Sequence, residues 1–244
     1  MISARRRPLV LAVEGNIGAG KSTFLRLVGQ YMQAHLVFEP HTRWQDVQGE
    51  NLLDYFYKDP QRWAYAFQTY AFVTRVLSQE QGARDCAGKP LQILERSVFS
   101  DRYCFAKNCY ELGFMNNLEW KLYQEWFAWL VDGYTVIPDA FIYMRTDPVV
   151  CHQRLVKRRR SEEATVSLEY LNLLHIKHED WLVHHKDLAS SVAKVPVLVL
   201  ACNDDFEHTK DNAVSHARAI VDFLEKNFAI QPQETLDSSL FLEG

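Results

Sequence analysis

The chain has 244 residues, of which 48% are hydrophobic, and its 27 lysines and arginines against 31 aspartates and glutamates leave a formal charge of −4. This length and charge balance indicate a soluble globular protein and argue against a generic nucleic-acid or membrane binder, which needs a net basic face. The local exception is a basic cluster, in which five of the 27 cations lie between positions 154 and 160.

Short apolar runs alternate with helical stretches along the chain, a pattern typical of βαβ units and a parallel sheet. The predicted strands are residues 9–13, 36–38, 91–94, 140–144 and 197–200. A long helix is predicted from Pro60 to about Gln81, and an aromatic helix over 118–131. The predicted apolar face of the long helix consists of Trp63, Phe67, Tyr70 and Leu77. We expect an α/β fold with a five-stranded parallel sheet flanked by helices, one domain over residues 1–228 and a loose tail at 229–244.

A phosphate-binding loop follows the first predicted strand, because residues 15–22 read Gly-x-x-x-x-Gly-Lys-Ser and Thr23 continues into a helical stretch. Its glycines free the backbone to turn N–H groups inward around an anion, and the helix that follows adds the positive end of its dipole. These glycines are Gly15, Gly18 and Gly20. Lys21 is expected to reach the β- and γ-phosphates, and the Ser22 hydroxyl to join a Mg²⁺ shell. The sequence therefore predicts a nucleoside triphosphate site in a P-loop NTPase fold.

Carboxylates follow two of the predicted strands, at the edge where a parallel sheet binds its ligands. Glu39 follows the second strand and Glu95 follows the third. Beside a bound γ-phosphoryl, one carboxylate suits taking a proton from a hydroxyl, and the other suits holding Mg²⁺. The chain contains no Asn-Lys-x-Asp segment of the kind that reads guanine. The pattern favours a kinase with a hydroxyl acceptor.

A series of short motifs is spread from about residue 8 to residue 228. They are Glu-Gly-Asn-Ile-x-x-Gly-Lys-Ser at 14–22, Glu39-Pro40, Tyr57 before Lys-Asp-Pro-Gln-Arg-Trp, Phe-Gln-Thr-Tyr at 67–70, Glu-Arg-Ser at 95–97, Asp-Arg-Tyr at 101–103 and Ser-Glu-Glu at 161–163. Their order and spacing resemble those of the deoxynucleoside kinase family, which includes deoxycytidine, deoxyguanosine and thymidine-type kinases. The resemblance implies a homodimer that uses Mg²⁺ with ATP, or another nucleoside triphosphate, to phosphorylate the 5′-hydroxyl of a deoxynucleoside in nucleotide salvage.

The same resemblance implies roles for individual residues. Glu39 is implied as the general base on the 5′-hydroxyl. Arg96 is implied as a catalytic residue that lies beside the phosphates and also contacts the substrate, and Glu95 with Ser22 is implied to organise Mg²⁺. Further nucleotide contacts are implied for Asn16, Thr23, Asp205 and Phe206, the last two in a loop over the adenine of ATP. The resemblance also implies nucleoside contacts. Tyr57 and Glu163 would bind the 3′-hydroxyl, and Trp44 would be a further contact. Gln68, Arg75 and Asp101 would face the base, and Phe67 and Phe105 would pack on its plane.

Arg75 and Asp101 are the residues that bear on the choice of base. A carboxylate accepts from an exocyclic amino group, while an arginine offers donors to ring nitrogens and carbonyls. Thymine has no amino group and carries a bulky methyl, so we expect deoxyadenosine, deoxyguanosine or deoxycytidine as substrate. Segments around 51–60 and 143–182 resemble thymidine-type members, and His41 stands where the resemblance implies a small apolar residue. A thymidine-preferring or broad-range kinase therefore stays as the alternative.

The basic cluster is predicted to form a lid over the phosphates. Arg154 and Arg158 are four apart and share a helical face, whereas Arg160 either faces solvent or follows a break in the helix. Residues 161–167 lack an apolar period and are predicted as a loop. By resemblance, these three arginines meet the phosphates and Arg158 is catalytic, while Lys157 and Arg159 lie at the surface.

The remaining expectations concern compartment and rival functions. Five cysteines without a C-x-x-C pair favour reduced thiols in a cytoplasmic protein over a disulfide framework or a zinc site. A nucleoside monophosphate kinase is disfavoured because the acceptor side lacks a further basic cluster. An alternative from a different class is a binding protein that uses the P-loop as a nucleotide-gated switch. Such a protein would hydrolyse or exchange nucleotide without producing a phosphorylated nucleoside.

Overall fold

The centre of the molecule is one parallel sheet of five strands, in the order β2-β3-β1-β4-β5. The computed structural model describes residues 7–86, 88–204 and 210–229. The strands are β1 (Leu9–Glu14), β2 (Ala34–Val37), β3 (Leu91–Glu95), β4 (Ala140–Arg145) and β5 (Val197–Ala201). All five predicted strands are confirmed, with ends that differ from the prediction by one or two residues. The predicted tail beyond Ala229 lies outside the described residues.

Helices connect successive strands on both faces of the sheet. They are α1 (Lys21–Val28), α2 (His41–Gln45), α3 (Leu52–Lys58), α4 (Pro60–Asp85), α5 (Val98–Ser100), α6 (Ala106–Glu111), α7 (Asn117–Tyr134), α8 (Pro148–Arg158), α9 (Leu168–Leu182) and α10 (Lys210–Phe228). A π-helical turn, Asp101–Phe105, joins α5 to α6, and a 3-10 turn, Ser161–Glu163, lies between α8 and α9. In the described part of the chain, no helix is long and apolar enough to cross a membrane.

The core has two layers because side chains alternate between the two faces of each strand. On one face, Val10, Ala12 and Leu94 pack in a cluster that includes the buried side chains of α4 and α7. On the other, Leu11 and Val13 pack in a cluster that includes the buried side chains of α1 and α10. This double covering is typical of parallel sheets and leaves the carboxyl ends of the strands as the open edge.

Helix α4 begins at the predicted residue, since Pro60 occupies its first turn and the Asp59 side chain accepts from the Arg62 N–H. It continues four residues past Gln81, to Asp85. The prediction that Leu77 lies on the apolar face is wrong, because Leu77 is 45% exposed. The buried positions follow two directions instead of one, since α4 packs against both α3 and α7. They include Ala64, Phe67, Gln68, Ala71, Phe72, Arg75 and Val76.

The helix that carries the first part of the basic lid, α8, ends within the basic cluster. Arg159 has a left-handed φ of 55° and ends the helix, which decides between the two predicted arrangements in favour of a break. Lys157 and Arg159 are exposed, as predicted. Residues 161–163 form a 3-10 turn rather than loop, because the Glu163 and Ala164 N–H groups donate to the Arg160 and Ser161 carbonyls.

Candidate active site

An open cleft with a volume of about 210 Å³ lies at the carboxyl edge of the sheet. It brings together most of the residues predicted as nucleotide, metal or nucleoside contacts. These are Gly18, Gly20, Lys21, Ser22, Thr23, Glu39, Trp44, Tyr57, Phe67, Gln68, Arg75, Glu95, Arg96, Asp101, Phe105, Arg158, Arg160 and Glu163. Gly15, Asn16 and Arg154 do not line the cleft, and Asp205 and Phe206 lie outside the described residues.

The P-loop has the backbone that an anion site requires. Gly18 and Gly20 adopt left-handed φ values of 78° and 92°. A Cβ at Gly18 would lie 2.4 Å from the Cys151 carbonyl oxygen, so only glycine fits there. Lys21 is buried and donates from Nζ to the Asn16 carbonyl at 2.8 Å. Burial, and next the Arg96 charge, lower the pKa of Lys21 to about 7.

Asn16 supports the loop from behind instead of facing the cleft. Its Nδ2 donates to the Leu171 carbonyl at 2.8 Å, and its Oδ1 accepts from the Ile17 N–H at 2.9 Å. Because Leu171 belongs to α9, this contact ties the P-loop to the helix that follows the lid. Asn16 therefore has a structural contact in addition to any contact with a nucleotide.

The residues predicted to hold Mg²⁺ are adjacent. Ser22 Oγ donates to Glu95 Oε1 at 2.5 Å, and Glu95 Oε2 accepts from the Glu39 N–H at 3.2 Å. A hydroxyl and a carboxylate, completed by substrate phosphates and water, are the ligands that Mg²⁺ takes in phosphoryl-transfer sites. The pair is positioned by the sheet, since Glu95 is the last residue of β3 and Ser22 lies in the first turn of α1.

Glu39 lies between the side chains of two buried arginines and a histidine. Its Oε1 is 2.5 Å from Arg75 Nη2 and 3.2 Å from Arg96 Nε, and its Oε2 is 2.8 Å from His41 Nε2. Burial pushes the pKa of Glu39 up, but the charges of Arg75, His41 and Arg96 together hold it well below its ordinary value. At neutral pH the group is thus a carboxylate that can accept a proton.

The deep end of the cleft combines one ion pair with aromatic walls. Arg75 Nε is 2.8 Å from Asp101 Oδ2, and both side chains are buried. Burial raises the pKa of Asp101 to about 6, against the lowering effect of Arg75. Phe67 stacks on Phe56 with ring centroids 4.7 Å apart. Gln68 and Arg75, both predicted to face the base, also line the cleft.

The lid arginines occupy two different places. Arg158 pairs with Glu163 through Nε at 3.1 Å and Nη2 at 2.5 Å, and Arg160 approaches the same carboxylate at 3.4 Å. Arg154 instead donates to the backbone carbonyls of Ala19 and Asp204. The lid therefore directs Arg158 and Arg160 into the cleft, while Arg154 contacts the P-loop backbone.

Comparisons with known proteins agree with this geometry. A family model described as deoxynucleoside kinase matches residues 11–225. The chain is 40% identical to deoxycytidine kinase 2 of Gallus gallus, over 85% of this chain and 87% of that protein. It is 42% identical to the mitochondrial deoxyguanosine kinase of Xenopus laevis, over 81% and 83%, and 39% identical to human deoxycytidine kinase, over 88% and 90%. The chain belongs to the deoxynucleoside kinase family.

As a deoxynucleoside kinase, the chain is a phosphotransferase whose donor is a nucleotide. The cleft of this kinase also contains residues that the sequence did not single out, namely Ile17, Arg26, Leu53, Phe56, Ala71 and Tyr170. Helical spacing could have found Ala71, which lies one turn after Phe67 and one turn before Arg75 on α4. The others lie on elements other than α4, and among them Leu53 and Phe56 share α3 one turn apart.

Glu14 is a further residue that sequence reasoning left without a role in the kinase. It is fully buried, and its Oε1 accepts from the Ser97 N–H at 2.8 Å and from Ser97 Oγ at 2.6 Å. These bonds fix the turn after β3, in which Arg96 adopts a left-handed φ of 62°. The Arg96 guanidinium lies 4.6 Å from the Phe105 ring centroid. Glu14 therefore supports the backbone that carries Glu95 and Arg96.

Proposed function

We propose that this kinase transfers the γ-phosphoryl of ATP, or of another nucleoside triphosphate, to the 5′-hydroxyl of deoxyadenosine, deoxyguanosine or deoxycytidine. The observation that carries the proposal is the buried Arg75–Asp101 pair, which shares one cleft with Glu39 and the P-loop. The names of the relatives, deoxycytidine and deoxyguanosine kinases, support the same substrates. The site is proposed to act in nucleotide salvage.

In the proposed reaction, a carboxylate oxygen of Glu39 accepts the proton of the 5′-hydroxyl. The hydroxyl oxygen bonds to the γ-phosphorus, and the bond from that phosphorus to the β–γ bridging oxygen breaks, so the nucleoside diphosphate leaves. Lys21, Arg96, Arg158 and Arg160 stabilise the negative charge that spreads over the transferring group. Bound between Ser22, Glu95 and the phosphates, Mg²⁺ would neutralise part of that charge.

The nucleoside is proposed to lie along α4, with its sugar toward the lid. Tyr57 and Glu163 are proposed to bind the 3′-hydroxyl, and both line the cleft. Gln68, Arg75 and Asp101 are proposed to meet the base edge, while Phe67, Phe105 and Trp44 enclose the ring. Above a pH of about 6, Asp101 is ionised and accepts from an exocyclic amino group. Thymine lacks that donor.

One assay tests the proposed substrates. Phosphorylation of the four deoxynucleosides with Mg·ATP, measured as kcat/KM, is expected to give lower values for thymidine than for the three amino-bearing nucleosides. A highest value for thymidine would instead support the alternative of a thymidine-preferring kinase. Hydrolysis of ATP without any phosphorylated nucleoside would favour a nucleotide-gated switch. Asp101→Asn replaces one carboxylate oxygen by an amide NH₂. This variant is expected to reduce the difference in kcat/KM between thymidine and the other three deoxynucleosides.

The proposal extends to assembly and compartment. We propose a homodimer that uses α7, because Trp126 and Trp129 are 48% and 55% exposed on that helix. The proposed kinase domain covers residues 1–228, and the match of the family model to 11–225 supports this extent. A cytoplasmic location is proposed because all five cysteines are buried and unpaired, as suits a reducing compartment.

A further inference from the structure

His41 contacts the oxygen of Glu39 that the arginines leave open. Arg75 and Arg96 both approach Oε1, whereas the imidazole Nε2 lies 2.8 Å from Oε2. With Oε1 occupied by two guanidinium groups, Oε2 is the oxygen available to an acceptor hydroxyl. His41 therefore occupies one side of the oxygen that takes the proton in the proposed reaction.

The imidazole is fixed by packing on the opposite side. Its ring meets Trp44 edge-on, with centroids 5.0 Å apart and an interplanar angle of 78°. Trp44 is itself buried, and its Nε1 donates to Thr74 Oγ1 on α4 at 2.9 Å. His41 and Trp44 both belong to α2, which follows Glu39-Pro40 directly. The ring is thus anchored to α4 through the indole, independently of Glu39.

The hydrogen-bonding pattern defines which nitrogen carries a proton. Nδ1 of His41 is buried and has no hydrogen-bond partner among the described residues. Nε2 faces a carboxylate oxygen, which can only accept. Nε2 therefore donates to Glu39 in both the neutral and the charged form of the ring, and the contact does not depend on titration of the histidine.

We propose that His41 is a positioning residue, which fixes the carboxylate plane of Glu39 so that Oε2 presents its remaining lone pair to the 5′-hydroxyl. This inference rests on the proposed role of Glu39 as the base. Without the Nε2–H donor, the carboxylate is restrained at Oε1 alone and can rotate about that anchor. Because proton transfer requires a hydrogen-bond distance and an aligned lone pair, the loss falls on the chemical step and not on nucleoside binding.

The test compares His41→Val with His41→Gln, since glutamine retains an N–H donor at a similar reach and valine does not. The rate of phosphoryl transfer is measured in a single turnover with Mg·ATP and the deoxynucleoside of highest kcat/KM. The nucleoside Kd is measured separately by calorimetry without nucleotide. We expect His41→Val to lower the single-turnover rate by about tenfold with an unchanged Kd, and His41→Gln to recover most of the rate. His184→Val, at an exposed histidine outside the cleft, is the control.

Three results would overturn the inference: a wild-type rate in His41→Val, a rate and a Kd that worsen together, or a His41→Gln rate no better than that of His41→Val. Thermal unfolding of both variants separates a misfolded protein from a slow one. Glu39→Gln distinguishes this failure from failure of the proposed function. If Glu39→Gln keeps the wild-type rate, the assignment of the base is wrong; if it is inactive while His41→Val is unaffected, only the role of His41 is wrong.

Discussion

Two glutamates beside the cleft differ in ionisation because their neighbours differ. The Glu14 side chain is fully buried and the Glu39 side chain is only 5% exposed, and burial favours the neutral form of each. Glu39 is in contact with two arginines and a histidine, so its pKa stays well below the ordinary value. Among the described residues, Glu14 accepts hydrogen bonds at Oε1 and its Oε2 has no partner, and burial raises its pKa to about 7. At neutral pH, Glu39 is a carboxylate that suits a base, whereas Glu14 is only partly ionised and has a structural contact with Ser97.

Glu14→Gln is expected to change the pH dependence of stability. The folded protein keeps the Glu14 proton up to a pH of about 7, whereas the unfolded chain releases it near 4.5. The folded state binds more protons across this window, so its stability falls as pH rises through it. Glutamine cannot ionise and is spared this loss. The Tm of the variant minus that of the wild type is expected to rise by on the order of 5 °C between pH 5 and pH 8. A Tm difference that does not change with pH would contradict the raised pKa of Glu14.

At the scale of elements, the sequence predicts what depends on local pattern. Apolar runs located all five strands, and Pro60 located the start of α4. The pattern wrongly predicts Leu77 on the apolar face of α4, because a helix packed on two sides does not bury a single stripe. Apolar spacing does not predict the 3-10 turn at 161–163, because backbone hydrogen bonds define it. The two differences have separate causes, since tertiary packing overrides the helical period at Leu77, whereas local backbone hydrogen bonds form the turn at 161–163.

The position of Arg158 in the lid predicts that its loss affects kcat more than the nucleoside Kd. Arg158 lines the cleft and pairs with Glu163, whereas the neighbouring Lys157 does not line the cleft. Arg158→Ala is expected to lower kcat by about 10- to 100-fold, because a guanidinium that stabilises transferring charge acts mainly in the transition state. The nucleoside Kd should change much less. Steady-state kinetics and calorimetry check this, with Lys157→Ala as control. An unchanged kcat would remove Arg158 from the catalytic residues.

Two helical glycines provide a matched pair for stability. A Cβ at Gly82 of α4 would lie 2.3 Å from Val37 Cγ2 on β2, whereas a Cβ at Gly133 of α7 meets nothing within 4 Å. Gly82→Ala is expected to lower the free energy of unfolding by about 1–3 kcal/mol through overpacking. Gly133→Ala is expected to raise it by up to about 1 kcal/mol, because alanine favours the helix. Urea unfolding measures both, and equal effects would contradict the close approach of α4 to β2.

At the scale of the molecule, the sheet assembles the cleft from chain segments far apart in sequence. Parallel pairing of β1 with β3 places Val13 opposite Glu95, which brings the P-loop beside the strand-end carboxylates. The sequence predicts this convergence, since strand ends meet at one edge. It does not predict which atoms meet. The contacts of Glu14 with Ser97 and of His41 with Glu39 depend on turn geometry and side-chain rotamers, for which the sequence carries no periodic signal.

The exposed face of α7 is where the proposed dimer can be tested. Trp126 and Trp129 pack against each other edge-on, with centroids 6.0 Å apart, yet about half of each side chain is exposed. Tryptophans are enriched among the residues that dominate the binding energy of protein interfaces, where truncating one to alanine often costs about 2 kcal/mol or more. Trp129→Glu would place a charge within such an interface and is expected to halve the mass measured by sedimentation velocity.

The control for this experiment is Ile176→Glu, on a side chain of α9 that is 52% exposed and lies outside both α7 and the cleft. It introduces the same charge at an exposed apolar side chain, so it should leave the mass unchanged if α7 alone forms the interface. Neither substitution lies in the cleft, so each folded variant should still bind nucleoside, which calorimetry would verify. A monomeric wild type, or a Trp129→Glu protein of unchanged mass, would show that α7 is not the dimer interface.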